Sequence, residues 1–278
     1  MKIYYLYLIL ICSFCNAQKI SLTSASMKPF PYSATIIEES NQNIYYDLKF
    51  VRDTKNTQSK RQAICILQIG SIFSRFADNN FVKLDSLDEK YSHQQEITPK
   101  EFGVYNSFFG NWDNVLVKNL VDKKNIIQDY AKNKYQYEEL QPNFNWKLEK
   151  DTKEILGYVC YKATTEFRGR KYIAWYAKNI PINNGPYIFD GLPGLIMEIE
   201  DINDHYHFTA IAMDKKTKDI YLRKEKQILH VTREQFRKIQ KDLHDNPGFF
   251  YGGNSYDANG NPINEKWKKK PYNPIELD

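Results

Sequence analysis

Cysteine, glycine and proline are all scarce here, at 4, 12 and 11 residues in a chain of 278. So little Gly and Pro excludes collagen-like repeats and low-complexity tracts, and so few Cys exclude a scaffold stapled by many disulfides. Neither charge sign dominates: 39 Lys and Arg stand against 34 Asp and Glu. They are spread along the chain, so the basic stripe that nucleic acid requires is missing. Beyond the first residues no apolar run approaches the ~20 needed to span a bilayer core. There is also no G-x-S-x-G elbow, H-E-x-x-H pair, phosphate-cradling glycine loop or EF-hand spacing. No reaction class announces itself. What is plentiful is aromatic: 21 Tyr, 16 Phe and 4 Trp. With 42% hydrophobic and 26% charged residues, the composition suits a sizeable core and leans towards strands.

The N-terminus defines a compartment. Met1-Lys2 is a short cationic start, and Ile3 to Cys15 is apolar. Cys15-Asn16-Ala17 then puts small residues where a signal peptidase reads, just before Gln18. Residues 1–17 are therefore expected to be a cleaved export signal. Cys12 follows Ile11 and Cys15 follows Phe14, unlike the small residue that precedes a lipidated cysteine. The product is expected in the periplasm or outside the cell, with no transmembrane anchor. Cys65 and Cys160 would remain after cleavage. An oxidising compartment permits a disulfide between them, and two separate buried thiols are the alternative.

The dominant period along the chain is two. Strand-like runs are expected at Asn43–Phe50, Ala63–Ile69, Val115–Val121, Ile126–Tyr130, Phe144–Leu148, Ile155–Thr165, Lys171–Ala177, Leu195–Ile202 and Tyr206–Met213. Short strands separated by turn residues predict a mainly β (β-rich α+β) fold, a curved antiparallel meander sheet or half-open barrel, and not βαβ units. Arg168-Gly169-Arg170 reads as a tight hairpin between two long runs. One helix stands out in the C-terminal region. Thr232 and Gln235 form a capping box, Phe236, Ile239 and Leu243 make an apolar stripe, and Asn246-Pro247-Gly248 ends it. A weaker helix is expected at Asp85–Tyr91. The expected organisation is one β-rich domain over 18–246 and a loop-rich tail over 247–278.

Candidates for chemistry are few. His205 and His207 are two apart, and on a strand alternate residues share a face. The pair could grip a transition metal with Asp201 or Asp204, but a half-exposed strand face with no metal is the plainer expectation. Glu198 and Glu200 share a face too, and read as solvated edge charges before an acid/base pair. Nothing flanks Cys65 or Cys160 as a general base. No cofactor is implied.

The most distinctive stretch runs from Ile155 to Ile202. It holds Gly157-Tyr158-Val159-Cys160-Tyr161-Lys162-Ala163, Trp175-Tyr176, Gly185-Pro186-Tyr187 and Gly191-Leu192-Pro193-Gly194-Leu195-Ile196. Pro193-Gly194 suits the centre of a type II turn, Pro fixing φ and Gly taking φ > 0. These segments, with Asn246-Pro247 and Asn273-Pro274-Ile275-Glu276-Leu277, resemble the GLPGLI family of secreted bacterial proteins, named for that hexapeptide. The resemblance implies export from a Gram-negative cell and brings no catalytic or binding residue with it.

Three functions are compatible with these features. The leading expectation is a non-catalytic binding protein for an apolar ligand, with Trp175, Tyr176, Tyr187, Leu192 and Pro193 as the ligand or partner surface. The second is an adaptor of an outer-membrane transporter with the hexapeptide loop as contact. The third is a hydrolase with an unrecognised site. The compartment can be checked directly. N-terminal sequencing of protein recovered from the periplasm is expected to start at Gln18, free or cyclised; full-length protein in the cytoplasm would overturn this.

Overall fold

Period-two patterning becomes a strand wherever alternate side chains find a common apolar face. In the computed structural model, which describes residues 26–225, 227–252, 259 and 268–278, the strands are β1 (Ala34–Ser40), β2 (Gln42–Val51), β3 (Lys60–Ile69), β4 (Phe73–Asp78), β5 (Val115–Asn119), β6 (Lys124–Ala131), β7 (Asn133–Leu140), β8 (Lys147–Ile155), β9 (Tyr158–Phe167), β10 (Arg170–Ala177), β11 (Leu195–Asp201), β12 (Tyr206–Asp214), β13 (Lys218–Arg223) and β14 (Leu229–His230). The helices are α1 (Asn79–Tyr91), α2 (Pro99–Tyr105), α3 (Arg233–Asp245) and α4 (Pro247–Tyr251). The expected export signal at 1–17 lies outside the described residues.

Two antiparallel meanders, β2 to β7 and β8 to β12, join where β12 pairs with β2. The result is one twelve-stranded sheet whose ends, β14 and β8, stay apart. The expected β-rich antiparallel meander is present, and it is an open sheet with no barrel closure. Strands β1 and β13 form a separate two-stranded ribbon, and β14 adds to β7 in parallel. Among the described residues no helix is long and apolar enough to cross a membrane.

Register shows where the core lies. Ala63, Leu48, Phe208, Ile199, Ala174 and Ala163 stand opposite one another on six successive strands, and all six are buried. The neighbouring rows face the other way. Ile64, Asp47, Thr209, Glu198, Trp175 and Lys162 form one of them. This geometry corrects the disulfide expectation. Cys65 lies two residues from Ala63, on the core face, whereas Cys160 lies three from Ala163, on the opposite face. Strands β2, β12, β11 and β10 lie between them, and both thiols are free and buried.

Several expected elements need revision. The run Ile155–Thr165 is two strands, because Leu156 and Gly157 take φ of 52° and 79° and turn the chain between β8 and β9. Phe144 is an aromatic anchor, stacked on Trp146 at 5.6 Å, and its strand starts only at Lys147. Helix α1 is longer than expected because Asp78 caps it, accepting from the Asn80 N–H at 2.8 Å. Helix α3 is as expected: Thr232 and Gln235 bond reciprocally, and Phe236 and Leu243 are buried. Pro247 ends α3 yet opens α4. The segment 268–278 is no loose tail, since Asn273, Ile275 and Glu276 are buried. Residues 253–258 and 260–267 of the expected tail lie outside the described residues.

The hexapeptide is a joint between the 178–190 connection and β11. Its turn is tighter than the expected type II: the Gly194 N–H donates to the Leu192 carbonyl at 2.8 Å, across Pro193 alone. Gly194 has φ of 149°, and a Cβ there would overlap the Ala177 carbonyl. Leu192, Leu195 and Ile196 are buried, leaving Gly191 and Pro193 exposed. Thermal melts are expected to show Leu192→Ala losing about 2–5 kcal/mol and Gly194→Val losing about 1–3 kcal/mol from backbone strain, with more from the overlap. Parent-like melting of both would show that the joint is not structural.

Candidate functional site

A cleft of about 390 Å³ opens between α3, strands β6 and β7, the loop ahead of β5, and the returning segment around Asn273. Each wall is fixed by a local device. Asp78 caps α1 with one carboxylate oxygen and with the other accepts from the Asn111 and Trp112 N–H groups at 2.8 and 3.2 Å. That bond aims the Trp112 ring into an aromatic cage. Phe50, Tyr187, Tyr206 and Phe208 meet it edge-on with centroids 5.7–6.4 Å away. Asn114, two residues on, donates its amide to Asp129 of β6 at 3.1 Å. From α3, Phe236 stacks on Tyr137 at 5.6 Å, and Arg237 reaches the Glu276 carbonyl.

Three cleft residues carry unsatisfied polar atoms. Trp112 is 8% exposed and Asn114 7%, and neither Trp112 Nε1 nor Asn114 Oδ1 has a hydrogen-bond partner. One is a donor, the other an acceptor. Arg237 Nε is unpartnered as well. Burial raises Asp129 to about 7, against hydrogen bonds from Asn114 and the Tyr130 N–H, and Asp113 adds to the rise. At the base, burial alone would raise Glu276. Arg168, the Tyr187 hydroxyl and Arg233 outweigh it and hold the carboxyl below its usual range.

The residues singled out from sequence scatter. Tyr187 lies on the cleft wall with its hydroxyl on Glu276 at 2.7 Å. Tyr176 and Leu192 are core, so they form no surface. Pro193 is exposed, and Trp175 is half-buried on the other face of the sheet beneath the Lys153 ammonium, 4.5 Å from its centroid. His205 and His207 part company. His205 meets Arg170 at 3.3 Å beside the buried Arg170–Asp201 pair. His207 turns Nε2 to Glu198 at 3.1 Å and Nδ1 towards Glu200 and Asp204. Glu200, Asp204 and His207 bring ligand atoms within 4.8 Å of one another and could take a divalent cation, although Lys60 already pairs with Asp204. Glu198 is no solvated edge charge: it is buried and paired with Lys153 at 2.7 Å. Trp112, Asn114, Asp129 and Arg237 went unnoticed in the sequence because no motif links them.

Residues 119–237, under half of the chain, match a family model described as the N-terminal domain of an N-glycanase peptide. Two crystal forms of PNGF-II resemble the fold at 14% identity, with TM-scores of 0.49 and 0.48. The likeness covers 75% of this chain and 34% of each of those chains, so this chain spans about a third of their length. No curated protein matches.

Asp129 should leave a mark on stability. Its folded value of about 7 lies above an unfolded value near ~3.9, so ionisation disfavours the fold. The contribution of this group is then most favourable below about pH 4, falls as pH rises to about 7, and is level above that. Asp129→Asn removes the ionisation, and a flipped Asn114 amide can accept from the new one. Melts across this range are expected to show the variant gaining about 2–4 kcal/mol on the parent by pH 7. Parallel profiles would reject it.

Proposed function

We propose that this chain is an exported, non-catalytic binding protein whose ligand sits in the cleft between α3, β6, β7 and the segment around Asn273. The observation that carries the reading is the lining of the cleft, an aromatic wall of Phe50, Trp112, Tyr137 and Tyr206 set with the charged side chains of Arg52, Asp129 and Arg237. Ligand pockets combine apolar walls with a few placed polar groups, in volumes of roughly 300–1,000 Å³. The cleft lies at the small end of that range. The span matched by the family model supplies much of its wall, including Asp129, Tyr137, Tyr187, Tyr206 and Arg237.

Convergence of the distinctive segments supports the same site. Tyr187 from Gly185-Pro186-Tyr187, the helix ending at Asn246-Pro247, and Asn273 to Glu276 all border this cleft. The mixed polar and aromatic lining moves the ligand away from the purely apolar molecule that composition suggests. An adaptor acting through the hexapeptide would have little to offer beyond Gly191 and Pro193, since Leu192, Leu195 and Ile196 are core.

The test is to plug the cleft. Gln240 lies on its wall and is only partly buried, so Gln240→Trp is expected to fill it without unfolding α3. Protein purified from the periplasm, denatured and analysed by mass spectrometry, should release a chemically unaltered small molecule from the parent and none from the variant. Identical extracts from both, or a cleaved product, would sink the proposal.

A further inference from the structure

Resting on that cleft, we propose that its ligand is a small, flat organic anion with two acidic groups. Four cations line the cleft, Arg52, Lys132, Arg237 and Lys270. They come from four segments: the residue after β2, the β6–β7 turn, α3 and the returning segment. Among the described residues none of the four forms an ion pair, whereas Arg168, Arg170, Arg223 and Arg233 all do. Arg52, Lys132 and Lys270 are exposed, so their charged heads are open to a ligand. Arg237 is spent on Gln240 and on the Glu276 carbonyl and adds only its charge.

Asp113, Asp129 and Glu276 line the cleft as well, and they do not cancel this charge. Glu276 is committed to Arg168 and Arg233. Burial raises Asp129 to about 7, so near neutral pH it carries about half a charge. Burial raises Asp113 too. Burial lowers the proton affinity of Arg52, Arg61 adds to the effect, and Asp113 offsets only part of it. The balance is positive, and a cleft concentrates such a field. The charge is offered at two places. The Lys132 and Lys270 ammoniums stand 4.7 and 4.4 Å from the centroid of the Tyr251 ring, and the Arg52 guanidinium lies 5.7 Å from that of Phe50. Tyr130, Tyr251 and Tyr272, exposed or half-buried, line the same cleft. An acidic group for each place and a flat apolar body for the rings answer the whole lining. An isolated surface lysine needs no partner but water; it is the gathering of these charges in one aromatic cleft that asks for an anion. A neutral ligand leaves them unanswered, and a cation is repelled. The volume of about 390 Å³ admits a small molecule and not a polyanionic chain held lengthwise.

Three naphthalenes of similar shape separate charge from fit: the dicarboxylate, the neutral bis(hydroxymethyl) compound and the cationic bis(aminomethyl) compound. Fluorescence titration of the mature chain at low salt is expected to show the dicarboxylate binding about tenfold more tightly than the diol, with no binding of the diamine. That binding is expected to disappear in Gln240→Trp and to weaken about tenfold in a variant carrying Lys132→Gln and Lys270→Gln. The advantage over the diol is expected to shrink as salt rises from about 0.01 to 1 M, where the screening length falls from about 30 to 3 Å. Diol binding as tight as dicarboxylate binding at low salt overturns the inference; if it is lost in Gln240→Trp, the cleft still stands. Dicarboxylate binding that Gln240→Trp leaves untouched overturns it too, by placing the anion elsewhere. If none of the three binds, the inference falls, and release of a small molecule from periplasmic protein judges the cleft by itself. Should the lysine variant melt early, the salt dependence and the comparison of the three compounds in the parent decide alone.

Discussion

One buried carboxylate holds the cleft together. Glu276, from the returning C-terminal segment, accepts from the Tyr187 hydroxyl and from Arg168 at 2.7 Å each, and from Arg233 at 2.7 and 3.2 Å. Tyr187 belongs to the connection that leads into the hexapeptide. Arg168 is the turn between β9 and β10, and Arg233 is the first residue of α3. Both arginines also meet Glu139 of β7. Five segments far apart in sequence thus share one cluster of two acids and two guanidiniums. Burying such charges costs several kcal/mol per ion, which is offset only when the geometry is good and the remaining sites are used. Here both Glu276 oxygens are engaged. Losing one partner would strand the others, at about 3–5 kcal/mol.

A second buried charge secures the neighbouring connection. Lys118 of β5 donates to Asn184 Oδ1 at 3.1 Å, to the Phe189 carbonyl at 3.0 Å and to Asp190 at 3.4 Å. All three of its protons are directed at a stretch without regular structure, and burial lowers its proton affinity despite Asp190. This anchorage matters because Tyr187 sits at φ of 52°, a conformation that costs a non-glycine residue about 1–3 kcal/mol. Lys118 at one end and Glu276 on the hydroxyl hold Tyr187 against that strain. The Gly194 joint then turns the chain into β11.

What the sequence revealed and what it hid divide along the range of the interaction. Helix α3 was legible because its capping box and apolar stripe are contained in a dozen residues. So was the hairpin at Arg168-Gly169, whose positive φ values of 44° and 77° need only local chemistry. Strand β8 was hidden because Lys147–Ile155 is polar almost throughout. It lies at the end of the sheet, where charges guard an edge instead of filling a core. The docking of Asn273 to Glu276 was hidden for a different reason: its partners lie at Val51, Arg168, Arg170, Tyr187 and Arg233. The cysteine pair shows the limit most clearly, since parity across six strands decides it and no local pattern encodes that. The site suffered the same way. Trp112 and Asn114 are single residues in a loop, and only folding brings them to Asp129 and α3.

Buried polar groups in this fold are satisfied to very different degrees. Asp78, almost fully buried, uses both oxygens on backbone N–H groups, and Lys118 and Glu276 are bonded as fully. Unpartnered Nε atoms on Arg75, Arg170 and Arg223 say little, because the terminal nitrogens of those guanidiniums are engaged. Both amide atoms of the fully buried Asn125, which does not line the cleft, are unpartnered too; in Trp112, Nε1 is the one polar side-chain atom. Leaving it and Asn114 Oδ1 unpaired costs about 1–3 kcal/mol each, against a net stability of roughly 5–15 kcal/mol for a whole domain. Phenylalanine at position 112 would keep the aromatic cage without that cost. The indole N–H is therefore a cost that the cage itself does not require.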